Sequence, residues 1–264
     1  MCSIFGIGFF KDHKLKDTDT IIGVVSRLFR EAEVNGRRAS GLSIMREKLA
    51  DVIRRPVSGS ELINTSEYLD FMEAGLKEND PEAGRLMSII GHCRFPTQGP
   101  ESNILNNHPQ VIDHIIGVHN GVITNDHALF RKFEKLFTRK AQVDTEIIFQ
   151  LINHFNQSIM GKTIGAIQQA SKFLNGSYAC AMQNSRHPYN LYLFRNNNPI
   201  DVLLYSKLGV VLFATRESFV TRAFEEFVDA AAGQCEEVEI PARTGLVFNL
   251  WNKNMSRFDL KEAK

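Results

Sequence analysis

At 264 residues the chain suffices for one large domain or two small ones, and with 43% hydrophobic residues it can build a full core. Its 31 basic and 30 acidic side chains nearly cancel, which argues against nucleic-acid binding by bulk positive charge. No apolar run reaches the roughly 18 to 20 residues of a membrane span, and Met1-Cys2-Ser3-Ile4-Phe5-Gly6 lacks the basic-then-apolar pattern of a secretory leader, so a cytoplasmic protein without a membrane partner is expected.

In chain order, Ser3 to Phe10 is apolar with two glycines and reads as a buried strand. A helix is expected from Thr20 to Ala32, with Ile21, Val24, Val25, Leu28 and Phe29 on one stripe and caps among Asp17 to Thr20. The turn Asn35-Gly36-Arg37-Arg38-Ala39-Ser40-Gly41 leads to short strands at Leu42 to Arg46 and Asp51 to Pro56. Ser66 to Lys77 reads as a helix. Met87 to Arg94 reads as a buried strand running into the loop Phe95-Pro96-Thr97-Gln98-Gly99-Pro100. Ile115 to His119 is a strand expected to stop at Asn120-Gly121. Helices follow at Asp126 to Leu136 behind an Asn125 cap, Thr145 to Asn156 behind Asp144, and Ile164 to Leu174. Strands recur at Ser177 to Met182, Leu191 to Arg195, Asp201 to Ser206, Val210 to Ala214, Glu236 to Pro241 and Gly245 to Leu250, with one helix at Glu217 to Asp229. No repeat or Pro/Ser-rich linker divides the chain. These elements predict one α+β domain whose helices cover sheets of antiparallel strands.

Four positions carry candidate chemistry. Cys2 becomes the first residue if Met1 is trimmed, and its thiol would then have the free α-amino group as a built-in base, with a pKa of about 7.7 to 8.0. Arg94 stands at a strand end, where its guanidinium can fork a carboxylate or pair with a structural one. Asn120-Gly121 is a hairpin signal, or a means of aiming a side-chain amide and a backbone N–H at one point, as an oxyanion hole requires. Asp144 reads most simply as a helix N-cap. Cys93 and Cys180 read as small buried hydrophobes. None of the four cysteines falls in a CxxC pair, so no metal site is expected.

The segments MCSIFGIGFF, NGRRASGLS, GHCRFPTQG, HPQ, GVHNGVITN and VDTEIIFQLI, in this order, resemble class II glutamine amidotransferases, most closely the glutaminase domain of glucosamine-6-phosphate synthase. The resemblance extends from Cys2 to about Phe258. It implies the N-terminal nucleophile hydrolase fold, a four-layer αββα sandwich with two antiparallel sheets, and a single glutaminase domain over 2–264. It implies that Cys2 is the nucleophile, that Asn120 and Gly121 form the oxyanion hole, and that Arg94 and Asp144 take the α-carboxylate and α-ammonium of L-glutamine. Phe95 and Thr97 would shape the pocket, and no cofactor would be needed. Where the family has Arg-Gly-x-Asp, this chain has Asn35-Gly36-Arg37-Arg38. No synthase domain is expected in the chain, so the implied ammonia acceptor is a separate subunit. The alternatives are an amidase acting alone on another γ-glutamyl compound and a catalytically silent regulatory paralogue.

Overall fold

A computed structural model describes residues 2–77, 80–158, 162–228 and 234–261. Two antiparallel sheets organise it. The first holds β1 (Ser3–Phe9), β2 (Ala39–Arg46), β3 (Ala50–Arg55), β4 (Leu86–Arg94), β9 (Asp201–Tyr205), β10 (Val210–Ala214) and β11 (Glu236–Glu237), in the order β11-β9-β10-β1-β4-β2-β3. The second holds β5 (Gln110–Ile112), β6 (Ile115–Ile123), β7 (Gly176–Asn184), β8 (Asn190–Arg195), β12 (Thr244–Asn249) and β13 (Met255–Asp259), in the order β13-β12-β8-β7-β6-β5.

Side-chain alternation along each strand makes the layers. In β1, Phe5, Ile7 and Phe9 pack against the helices α1 (Thr18–Ala32), α3 (Ser66–Leu76) and α7 (Glu217–Glu225). Ile4 faces the opposite way, into the seam between the sheets, with Ile90 of β4, Ile116 and Val118 of β6, and Ala179 and Ala181 of β7. The outer face of the second sheet is covered by α4 (Asp126–Lys132), α5 (Thr145–Ser158) and α6 (Thr163–Ser171) around Phe149, Ile152 and Ile167. The result is the expected helix–sheet–sheet–helix sandwich. Glycine matters where Phe5 lies flat on β4, because a Cβ on Gly91 would run into its ring.

Several boundaries differ from the sequence expectation. The strand at Ile115 does not stop at Asn120-Gly121. It runs on to Ile123, pairing Asn120 with Ala179 and Gly121 with Tyr178. Gly121 takes φ 148°, and a Cβ there would overlap the Ser177 carbonyl oxygen, so the glycine serves a close strand approach and no hairpin. The helix expected to reach Leu136 ends at Lys132. Asn125 precedes it without capping: its amide donates to Phe173 O at 2.8 Å and its Oδ1 accepts from Asn175 N–H. Strand β11 is two residues long, well short of Pro241. The helix starting at Glu217 ends at Glu225, and its expected terminus at Asp229 lies outside the described residues, as do Met1 and 262–264. β5, β13 and the four-residue α2 (Gly59–Leu62) were not anticipated. Cys93 and Cys180 are fully buried, and burial pushes both thiols well above their ordinary value. Among the described residues no helix is long and apolar enough to cross a membrane.

Candidate active site

Cys2 lies one residue before β1, a strand held between β10 and β4 in the middle of its sheet. Ser3 is in register with Cys93, which places Cys2 at the end of β4 where the chain leaves Arg94 for the loop. The Phe95 N–H donates to Cys2 Sγ at 3.3 Å, and Sγ lies 3.4 Å from Phe95 O. Two further ties fix the start of the strand. Asn35 Nδ2 donates to Ser3 Oγ at 2.9 Å, and the Ile4 N–H donates to Thr215 Oγ1 at 2.9 Å. The half-buried thiol is raised above its ordinary value by burial, opposed by the Phe95 amide and by the field of Arg94, and reinforced by Asp144. A thiol held in its protonated form needs a base before it can attack.

Arg94 is buried, and its bonds go to neutral oxygens: Nη1 donates to Asn107 Oδ1 at 2.9 Å, and Nη2 donates to the carbonyls of Gln98 and Gly99. These bonds fold the 95–100 loop around the guanidinium. Burial lowers the Arg94 pKa, while Cys2, Glu101 and Asp144 act to raise it. Asp144 is also buried. Its Oδ2 accepts the Ile123 N–H at 2.7 Å, so it ties the end of β6 to the start of α5; no capping bond of its side chain to α5 is described. Neither Arg94 nor Asp144 has an ion-pair partner among the described residues, although Asp144 acts on Arg94 and both act on the Cys2 thiol. Two buried charges of opposite sign, near each other yet unpaired, are costly unless a ligand bridges them.

Asn120 and Gly121 enter from the second sheet. Ile116 and Val118 face the seam, so alternation turns Asn120 to the same side, where β6 lies across β1 and β4. Asn198 Nδ2 donates to the Asn120 carbonyl at 2.8 Å, while no bond of the Asn120 side-chain amide occurs among the described residues. The loop residues differ from one another. The Phe95 backbone contacts Cys2 while the residue as a whole is 52% exposed, and Thr97 is exposed on the loop without a described hydrogen bond. Asn35 and Arg38 both bear on the site from behind: the first anchors Ser3, and the backbone N–H of the second donates to Arg94 O at 3.1 Å. Among the described residues no His, Cys, Asp and Glu cluster is arranged for a metal ion.

Sequence reasoning missed a buried imidazole array behind these residues. Thr145 Oγ1 lies 3.0 Å from His108 Nε2 and 2.9 Å from His119 Nδ1. His92 Nε2 meets His119 O at 3.0 Å and must carry its proton there, because a carbonyl only accepts. His92 and His108 stack with ring centroids 4.0 Å apart. Burial lowers all three pKa values, that of His92 to about 3, so the array is neutral. The only sequence signal was position, since His119 precedes Asn120, Thr145 follows Asp144 and His92 lies two residues before Arg94.

The glutamine amidotransferase domain family matches residues 105–221, a span that includes Asn120, Gly121 and Asp144 and leaves Cys2 and Arg94 outside. The glutamine–fructose-6-phosphate aminotransferase (isomerizing) of Clostridium perfringens is 29% identical over 238 residues, covering 86% of this chain and 35% of the relative. The Bacillus licheniformis protein of the same name is 32% identical over 171 residues, covering 64% of this chain and 27% of its own. The chain thus spans about a third or less of the curated relatives it matches. In fold it is similar to the glutamine phosphoribosylpyrophosphate amidotransferase of Bacillus subtilis, with TM-score 0.67, 16% identity, and coverage of 98% of this chain and 49% of that one. A structure described as the allosteric regulatory enzyme of purine biosynthesis gives TM-score 0.71, again at 16% identity, with the same coverage of 98% and 49%. Over 105–221 the chain is similar in sequence to the glutamine amidotransferase domain family, and its two-sheet sandwich has the fold of the two amidotransferase-type structures it matches.

Proposed function

We propose that the chain hydrolyses the side-chain amide of L-glutamine through a thioester on Cys2. The observation that carries this reading is the pair of buried, unpaired charges, Arg94 and Asp144, acting on one half-buried thiol. A free α-amino acid presents one carboxylate and one ammonium, and such a head would neutralise both. In the reaction, with Met1 removed, the α-amino group of Cys2 takes the thiol proton as sulfur adds to the amide carbon. Asn120, through its amide, and Gly121, through its N–H, hold the resulting oxyanion. The C–N bond then breaks, nitrogen leaves with that proton as ammonia, and water attacks the thioester to release glutamate and restore the thiol. Loss of one oxyanion donor in such sites costs about 2.7 to 4 kcal/mol of barrier. Phe95 and Thr97 belong to the loop that closes over the head group.

Free ammonia is the useful product only if something consumes it. By analogy with the aminotransferases of similar sequence, we propose that a separate synthase partner consumes it.

The test is intact mass after incubation with 6-diazo-5-oxo-L-norleucine, on the parent protein and Cys2→Ala. We expect a single adduct on a chain lacking Met1 and none on the variant. An adduct that persists on Cys2→Ala, or a folded and trimmed parent that takes none, would overturn the assignment.

A further inference from the structure

At the other end of β1, roughly 25 Å from Cys2 along the strand, the fold encloses a cavity of about 490 Å³, within the size range of small-molecule sites. Among the described residues, Lys11, Lys16, Arg46, Lys77 and Arg85 line it, against two carboxylates, Glu47 and Asp80. Both carboxylates already serve the local backbone. Asp80 Oδ1 accepts from the Glu82 N–H at 2.9 Å and from that of Ala83, and Glu47 Oε2 accepts from the Arg85 N–H at 3.1 Å. Asp12, next to Lys11, pairs with Lys253 at 2.7 Å. Asp80 also interacts electrostatically with Arg46 and Lys77, so the described lining carries a cationic excess of five to two.

The cations are held in a way that suits an incoming anion. Arg46 is only 2% exposed, and its described bonds are all to carbonyl oxygens, those of Ala74, Lys77 and Gly84. These use four of its five N–H groups, and the Asp80 carboxylate acts on the guanidinium through space without a described hydrogen bond to it. Lys11 Nζ sits 3.8 Å from the Trp251 ring centroid, and the Arg85 guanidinium carbon 5.3 Å from it, so an aromatic face gathers two cations at the cavity wall. Leu76, Leu86 and Met87 supply apolar lining beside them.

We propose that this cavity binds a small phosphate monoester, with the phosphate held by Lys77, Arg85 and Lys11 above the Arg46 floor and the organic part against the apolar lining. A dianion with three acceptor oxygens matches several converging cations better than a single carboxylate does. The inference does not depend on the glutaminase reading.

Trp251 is the only tryptophan in the chain, so its fluorescence reports on this cavity alone. The experiment titrates the protein with glycerol 3-phosphate, with glycerol and with sodium chloride at matched ionic strength, and repeats the first titration by calorimetry. A saturable one-to-one response to the phosphate ester alone is expected. Affinity should fall by on the order of tenfold or more in Lys77→Glu/Arg85→Glu, while Cys2 labelling stays at the parent level. Lys77→Gln/Arg85→Gln replaces that variant if charge reversal unfolds the loop, as read by circular dichroism. A response no greater than with glycerol or chloride would overturn the proposal, as would binding that both double variants leave unchanged.

Discussion

Thr145 gives the site's polar backing its coherence. One hydroxyl reaches two imidazoles, and the residues on either side of this junction in sequence are the ones placed in the chemistry: His119 adjoins Asn120, and Thr145 adjoins Asp144. Thr145→Val keeps the shape and removes both hydrogen bonds, leaving His108 Nε2 and His119 Nδ1 buried without a partner, at about 1–3 kcal/mol for each group left unmade. Under the proposed mechanism this variant raises KM for glutamine by about tenfold and lowers kcat as well, because Asp144 and Asn120 both lose their backing, whereas Thr145→Ser restores both constants. Steady-state kinetics of the pair checks this; a Thr145→Val enzyme with parent constants would leave the array a purely structural role. None of this was legible in the sequence. Buried histidines look like any other core residue until their partners are known, and the partners here are 26 to 37 positions apart.

At the scale of elements, the strands read well where alternation or apolar runs were strong, and poorly where one residue decides. Ser3 to Phe9, Leu86 to Arg94 and Val210 to Ala214 stand almost as expected because each is buried on both faces. The error at Asn120-Gly121 has a physical source. A two-residue turn and a strand that needs a glycine for close approach present the same letters. Gly121→Ala tests which of these matters. At φ 148°, with the Ser177 carbonyl oxygen where a Cβ would lie, alanine must push β7 away from β6. A loss of about 2–4 kcal/mol in urea unfolding is expected, together with loss of labelling at Cys2. A hairpin glycine would cost far less. The capping logic held at Asp17, whose carboxylate takes the Thr20 N–H at 2.8 Å, and failed at Asp144, whose carboxylate went to another element. The side chain was identified, but sequence alone could not say which amide would reach it first.

For the molecule as a whole, the buried histidines set the response to acid. His92, His108 and His119 are neutral in the fold, with pKa values below the ordinary 6.5. Below about pH 6.5 the unfolded chain takes up protons that the folded one refuses, so stability falls as pH drops from 6.5 towards 3 and is insensitive to these groups above 6.5. Urea unfolding at pH 8, 6 and 5 should show a plateau and then a decline of up to about 1.4 kcal/mol per pH unit for each histidine. Stability unchanged down to pH 5 would mean that the array carries charge when folded. The layer order was legible because the helix stripes and apolar strands recur along the chain. The pairing of the layers was not, since contacts such as Ser43 with Gln183 join residues 140 positions apart.

Gln183 carries a consequence of its own. From β7 it accepts from Ser43 Oγ at 2.8 Å, and it donates to Ser88 O at 3.0 Å and Ser88 Oγ at 2.9 Å, so one amide from the second sheet is bolted to two strands of the first. The two plates are therefore denied the sliding that an oily interface would permit. Gln183→Leu should let one plate creep over the other and lower turnover at Cys2 without touching any residue of the site, which kinetics beside a thermal melt would separate from simple unfolding. A saturation-mutagenesis map of this protein would then be organised by depth in the sandwich: intolerant along the seam out to its far edge and along the buried helix faces, and permissive on the solvent faces of the outer helices.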